Sequence, residues 1–341
     1  VASLSQKLLP VLQLTRMALV FTALADSGCA IFLWAAQEAR VAHDPIWEHL
    51  DPAQCISMAF ISVGLYGFGM SLNDIIDRRR DRQISPNRPI PSGRIGIAAA
   101  HVICAMLMLL ALIGGEIYST LFPATRLSLV LIVFTAGLIT FYDFAGKYLV
   151  PLGLISLGLI RFFHATIAAP TLPVLWHPLL LLNHVTLLST VAYHWEQKRP
   201  VLKPGHWISV ISGLIGIDAL AIAIFLWRKN QHAPPQSAYV LLAVDPALFA
   251  PAAAVVVFIA LAIFIRRRNP IPREAGQSLM LSGLLWLIVY DACFTIGYAG
   301  ILPGLVIVAL LPMAYFSVVV MRWWAKLVVL SQRPAYKRAE T

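Results

Sequence analysis

The stretch Ser71-Leu72-Asn73-Asp74-Ile75-Ile76-Asp77-Arg78-Arg79-Arg80-Asp81-Arg82 runs out of one apolar segment, and Arg88-Pro89-Ile90-Pro91-Ser92-Gly93-Arg94 leads into the next. It therefore falls where a membrane helix meets water. Read as a helix, it sets Asp74, Asp77 and Asp81 at i, i+3 and i+7, within an arc of about 60°, with Asn73 on the flank. Three carboxylates on one stripe repel each other unless positive charge lies between them. Hard divalent ions such as Mg²⁺ take oxygen ligands and share them with phosphates. The surrounding arginines, Arg78, Arg80, Arg82, Arg88 and Arg94, suit phosphate oxygens directly. A charged juxtamembrane segment that only orients the chain needs the arginines but not the N-D-x-x-D-x-x-x-D spacing. The spacing favours a binding site.

Working outward, the 341-residue chain is 59% hydrophobic and 12% charged, with a mean hydropathy of +0.78. That is the composition of a polytopic membrane protein, and no hydrophilic segment is long enough for a soluble domain. The formal charge of +10 is read as topology and contact with anionic lipid. Its basic residues fall in short loops without the aromatic interleaving of a strand-binding groove, so nucleic acid is not an expected partner. Cys29, Cys55, Cys104 and Cys293 lie in or near apolar runs and form no C-x-x-C pair. They read as small buried hydrophobes, and the linear pattern points to neither a disulfide framework nor a zinc site.

Apolar runs of roughly 18–25 residues are the unit of a membrane span. They predict about ten helices, near 15–36, 53–72, 95–115, 125–142, 150–169, 177–195, 207–227, 245–265, 279–298 and 301–322. The last two are joined by the very tight Gly300-Ile301-Leu302-Pro303-Gly304, which leaves nine as the alternative. The first run reads as a span and not as a cleavable signal. With the N-terminus in the cytoplasm, alternate loops carry the Arg-rich motif, Lys147, then Lys198, Arg199 and Lys203, then Arg266, Arg267, Arg268 and Arg273. The basic tail with Lys337 and Arg338 falls on the same side, and the other side keeps Arg40, Arg126, Arg228 and Lys229. This asymmetry requires an even number of spans with both ends inside, as in a bacterial inner membrane. Residues 1–331 are expected to form one transmembrane domain and 332–341 a disordered basic tail. The acidic loop from Gln37 to Pro52 reads as a solvated connector with a short interfacial helix, and Gln231–Ser237, with Pro234 and Pro235, as a breaker.

Ionisable residues within apolar spans are costly and point to function. Arg16 lies near the cytoplasmic end of the first span and Asp26 about two turns deeper, where it needs a partner or a wet cavity. Tyr142-Asp143-Phe144-Ala145-Gly146-Lys147 places Asp143 and Lys147 at i and i+4 if the helix continues. They then either pair locally or aim Lys147 at a diphosphate, with Asp143 and Tyr142 orienting it. Arg161, in Gly158-Leu159-Ile160-Arg161-Phe162-Phe163-His164, falls roughly 20 Å beyond Lys147 by helical rise. It calls for a carboxylate, and Asp26 is a candidate. Glu196 stands beside Lys198 and Arg199, as a surface pair or as a ligand. His184 and His194 read as core or interface residues, while Asp218 and Asp291 are intramembrane acids without an obvious partner.

These residues resemble the UbiA superfamily of membrane prenyltransferases. The resemblance rests on Asn73-Asp74-x-x-Asp77-x-x-x-Asp81, on Arg88-Pro89-Ile90-Pro91-Ser92-Gly93-Arg94, and on Tyr142-Asp143-x-x-x-Lys147 with the glycines Gly153 and Gly158 after it. It covers about residues 10–200 well. Arg16 to Asp26 and Gly158 to Arg161 look most like the EboC subgroup. The resemblance implies an all-α fold, a polytopic transmembrane helix bundle around a central cavity open to lipid. It further implies that Asn73, Asp74, Asp77 and Asp81 bind Mg²⁺–diphosphate, and that Arg16 and Lys147 contact diphosphate oxygens, joined by Arg78, Arg88, Lys198 and Arg199. Such families carry a second D-x-x-x-D motif. Here only Glu196 stands in that place: either it is the second metal ligand, or one Mg²⁺ suffices with Lys198 or Arg199 replacing the second, or the donor or acceptor has changed.

The chemistry expected is Mg²⁺-assisted transfer of a prenyl group from an isoprenoid diphosphate to an unidentified hydrophobic acceptor within the lipid. Asp74, Asp77 and Lys147 would hold the leaving group, while Tyr142, Arg161, Phe162 and His164 line the cavity. Asp26 or Asp143 would accept a proton if the acceptor must lose one. Two alternatives stay open: transfer of a polyprenyl phosphate to a sugar phosphate, and a transporter or lipid-binding protein. Transporters place broken helices at mid-membrane, whereas this acidic stripe lies at the interface.

Overall fold

The computed structural model describes residues 4–122, 125–198, 200–232 and 245–331. The predicted tail 332–341, Arg199 and most of the proline-containing breaker lie outside them. Eleven α-helices make up the described chain, with no strand among the described residues. They are α1 (Leu4–Leu14), α2 (Val20–Ala42), α3 (Pro52–Ile84), α4 (Ile97–Leu121), α5 (Leu127–Phe144), α6 (Val150–Thr166), α7 (Trp176–Trp195), α8 (Pro204–His232), α9 (Phe249–Arg268), α10 (Pro272–Ala299) and α11 (Ile301–Ser331). Eight of these helical segments are long and apolar enough to cross a membrane. Of the other predicted spans, α6 is shorter at 17 residues, and α7 interrupts its apolar run with His177, Asn183, His184 and His194.

Most helices outrun the apolar windows that predict them, because polarity alone does not end a helix. Helix α3 starts where Asp51 caps Ala53 N at 2.7 Å with Pro52 in the first turn, a strong start signal. It stays helical through the charged Asn73–Arg82 stretch and stops at Ser85-Pro86, where the proline disfavours helical backbone in the preceding residue. The acidic motif therefore forms the last three turns of a 33-residue helix. Between α10 and α11 the link is Gly300 alone, at φ +102°, a conformation that side chains rarely adopt. The tight turn does separate two helices.

At two places the sequence reading needs correction. Arg16 does not sit within the first spanning helix. The chain breaks there, with Arg16 in the left-handed region at φ 48°, ψ 38°, followed by a 3₁₀ turn Met17–Leu19 that enters α2. Likewise α5 ends at Phe144 and Lys147 lies in a 3₁₀ turn, Gly146–Tyr148, so Asp143 and Lys147 do not share a continuous helix.

Helix ends alternate between the two faces of the bundle. At one face Arg266 of α9 lies over the Trp195 ring of α7, 5.8 Å away, and the Glu196 side chain packs against Gly276 at the start of α10. At the other, Arg40 at the end of α2 donates to Tyr298 O of α10 at 3.1 Å. Large apolar side chains such as Val102, Met106 and Leu109 of α4, Ile208 and Ile215 of α8, and Val256 and Ile263 of α9 are exposed. A surface of this kind is stable only against lipid. The protein is an all-helical integral membrane protein.

Candidate functional site at the end of the third helix

The site is assembled by four segments meeting at one end of the bundle. Behind the acidic stripe, Ile75 of α3 packs with Leu14 of α1, Ile95 before α4, and Ala100 and Cys104 of α4. That cluster fixes the rotation of the last turns of α3. Asp74 and Asp81 are buried, 4% and 5% exposed, and so need charge partners. Arg88, from the turn after α3, supplies one: its Nη1 donates to Asp81 Oδ2 at 2.7 Å and to Asp74 Oδ1 at 3.3 Å. Arg16 Nη2 donates to the same Asp74 oxygen at 3.2 Å. One guanidinium thus spans two carboxylates that would otherwise repel each other.

Asp77 faces the other flank. Lys147 Nζ donates to its Oδ1 at 2.7 Å and stands 3.9 Å from Asp143 Oδ1. Tyr142 directly precedes Asp143 near the end of α5. The Asp143 oxygen is buried with no hydrogen-bond partner, an acceptor waiting for a donor or a cation. Beside Asp74 opens a cleft of about 500 Å³ lined by Gln13, Arg16, Arg88 and the Ser85–Asn87 turn. Arg94 does not enter this cleft's charge balance. It ties the turn together by donating to Gln13 Oε1 at 2.7 Å and to Asn87 O at 2.5 Å.

Deeper, Arg161 of α6 reaches across to α2. Its Nη1 donates to Asp26 Oδ2 at 2.6 Å and its Nη2 to Thr22 Oγ1 at 2.7 Å. His164 Nδ1 lies 3.5 Å from the same Asp26 oxygen, and its Nε2 lies 3.3 Å from Ser62 Oγ. Asp26 is 0% exposed, so Arg161 supplies the counter-charge its burial demands.

Of the residues named from sequence, the structure brings together Arg16, Asp74, Asp81 and Arg88, and joins Asp77, Asp143 and Lys147. Arg161, His164 and Asp26 form the deeper set. Other candidates point elsewhere. Arg78 donates to its own helix at Ile75 O, 2.9 Å. Phe162 is packed with Leu154, Leu179, Val210 and Leu214, on the α7–α8 side, because neighbouring helix positions are turned by about 100°; it does not share Arg161's face. Glu196 pairs with Lys198 at 3.2 Å, and among the described residues no ion pair links it to the α3 stripe. Sequence reading missed Thr22, Ser62 and His177, whose Nε2 lies 2.7 Å from Asp291 Oδ1. It also missed Asn183, whose Nδ2 lies 3.0 Å from Asp218. These partners sit 35 to 139 residues away along the chain, and no local spacing announces them.

Whether Mg²⁺ suits the stripe follows from its donors. They are all oxygens, the class that Mg²⁺ takes, and the unpartnered Asp143 oxygen of α5 lies beside them, 3.9 Å from the Lys147 ammonium that holds Asp77. Among the described residues no three of these carboxylates converge within 4.8 Å. Such spacing fits an ion bound by one or two carboxylates that completes its shell with water and phosphate.

The chain matches the model of the UbiA prenyltransferase family over residues 28–270. It is 35% identical over 99 residues to the bacteriochlorophyll synthase 33 kDa chain of Rhodobacter capsulatus, covering 28% of this chain and 32% of that protein. It is 47% identical over 57 residues to the digeranylgeranylglyceryl phosphate synthase of Methanococcus vannielii, covering 16% and 20% respectively. The matches thus span about a third and a fifth of the length of those relatives. A solved structure of a digeranylgeranylglyceryl phosphate synthase superposes with a TM-score of 0.53 at 16% identity, over 86% of this chain and 99% of that one. That likeness is one of fold. With the family model covering most of its length, the chain belongs to the UbiA prenyltransferase family.

Proposed function

We propose that this protein transfers a prenyl group from an isoprenoid diphosphate to a hydrophobic acceptor within the membrane. The observation that carries this is the convergence of Arg16, Arg88 and Lys147, from three separate segments, on the carboxylates Asp74, Asp77 and Asp81 of α3. Cations and acids in that mixture match a diphosphate and the ion that accompanies it. Asn73, Asp74, Asp77 and Asp81 would hold Mg²⁺, with Asp143 at hand on the Lys147 side. When bound, the ion neutralises charge on the departing diphosphate.

The chain's own groups do the rest. Arg16 and Arg88 swing from the carboxylates to the phosphate oxygens, which keeps both sets of charges paired as the substrate enters. Lys147 faces the charge that develops as the bond to the first prenyl carbon breaks, where a fixed cation is worth most. The allylic cation that forms must be shielded from water. The acceptor then attacks that carbon, and its proton passes to Asp143, whose buried Oδ1 has no hydrogen-bond partner, or to Asp26. Basic side chains gathered at the site's end of the bundle support a cytoplasmic orientation for it.

The test is transfer itself. Protein in nanodiscs receives radiolabelled geranylgeranyl diphosphate with Mg²⁺ and a lipid extract from cells lacking the protein. A labelled lipid and stoichiometric diphosphate are expected, both lost in Asp77→Asn. Binding without either product would overturn the reading.

A further inference from the structure

A second constellation lies apart from the diphosphate site. Cys29 of α2, His177 in the first turn of α7 and Asp291 of α10 place a sulfur, an imidazole nitrogen and a carboxylate oxygen within 4.8 Å of one another, all buried. Asp291 is 0% exposed. Its Oδ1 meets His177 Nε2 at 2.7 Å, while its Oδ2 has no partner. Asp26, one helical turn before Cys29 on α2, also keeps one buried oxygen, Oδ1, without a partner. Two fully buried carboxyl groups therefore each keep an unsatisfied oxygen. Arg161 balances only Asp26.

Burying an unpaired carboxylate is expensive, and buried charges are paired or bind metal. Thiolate, imidazole and carboxylate together form a donor set of borderline softness. Mg²⁺ and Ca²⁺ call for oxygens alone, whereas Zn²⁺ takes sulfur, nitrogen and oxygen in a tetrahedron. The charges also close: a dication, one thiolate and one carboxylate sum to zero, leaving the Asp26–Arg161 pair neutral by itself. We propose that Cys29, His177 and Asp291 bind a zinc ion. The ion displaces the thiol proton of Cys29, and the imidazole binds neutral. His177 is held against Phe294 with ring centroids 5.3 Å apart, which fixes its aim. The ion staples α2, α7 and α10. It is structural, since every ligand is enclosed, and it is independent of the prenyl-transfer reading.

The full chain, purified in nanodiscs without chelator and then incubated with Zn²⁺ and desalted, is analysed for metal content and by X-ray absorption at the zinc edge. The expected result is about one zinc per chain, falling at least tenfold in Cys29→Ser and in Asp291→Asn. The spectrum should contain one sulfur at about 2.3 Å and nitrogen or oxygen at about 2.0–2.1 Å. If both variants fail to fold, the wild-type spectrum decides alone, because a shell without sulfur overturns the site. So does a wild-type protein that takes up no zinc, leaving a proton shared between Asp291 and its neighbours. Zinc retained in both folded variants overturns it equally.

Discussion

Lys147 Nζ donates to Asp77 Oδ1 at 2.7 Å across 70 residues of chain. This one ammonium ties the end of α3 to the turn between α5 and α6, and it is only 10% exposed. A cation held that firmly is placed to meet charge on a leaving group without reorganising. Lys147→Met should lower the rate of diphosphate release on the order of 10²–10³-fold, with Lys147→Arg recovering part of it. Single-turnover kinetics with saturating donor separate this from a loss of binding.

The left-handed backbone at Arg16 costs about 1–3 kcal/mol for a residue with a side chain. The break aims its guanidinium at Asp74, 3.2 Å away. Arg16→Gly relieves the backbone and removes the cation together. Thermal stability in detergent is expected to hold or rise slightly, while donor affinity falls. A simple structural role for Arg16 would give the opposite pattern, with stability lost and affinity kept.

The buried Arg161–Asp26 pair behaves differently from a surface bridge. Removing one partner leaves a charge stranded in low dielectric, at a cost of about 3–5 kcal/mol. Arg161→Met and Asp26→Asn should each lower the unfolding midpoint markedly, and the double substitution should be less destabilised than the two effects summed. A double-mutant cycle on thermal unfolding reads this coupling.

Helices α3 and α4 approach through Gly64. A Cβ there would lie 2.6 Å from both Ala111 N and Leu107 O, backbone atoms that cannot turn aside. Small residues permit such contacts between membrane helices. Gly64→Ala should destabilise the fold by about 1–3 kcal/mol, seen as a lower unfolding midpoint, and reduce donor binding only in proportion to the unfolded fraction.

Glu196 gives a sharper contrast. Its partner is Lys198 at 3.2 Å, and Lys198 is 44% exposed, so the pair contributes at most about 1 kcal/mol. Glu196→Gln should change diphosphate release by less than about threefold, against the loss expected for Asp77→Asn. A drop as large as that of Asp77→Asn in the same assay would make Glu196 a ligand after all.

What the sequence discloses and what it hides follow from distance along the chain. The stripe Asp74, Asp77 and Asp81 is legible because one helix supplies it and helical period is local. The Arg161–Asp26 pair is legible for another reason: an intramembrane arginine demands an acid, and few are on offer. Arg16's break is hidden, since Thr15-Arg16 carries neither glycine nor proline to mark it. Arg88's span of Asp74 and Asp81 depends on a turn whose path no spacing gives. Cys29, His177 and Asp291 are hidden most deeply, because three helices must pack before they become neighbours.

The account stands on the carboxylate stripe of α3 gripping a metal-bound isoprenoid diphosphate. The most direct measurement is the thermal shift of the full chain with geranylgeranyl diphosphate, with and without Mg²⁺, for wild type, Asp74→Asn and Asp77→Asn. A stabilisation that needs Mg²⁺, is reversed by chelator and disappears in both variants is predicted. An equal stabilisation in the variants, or one indifferent to Mg²⁺, would contradict the assignment of the site.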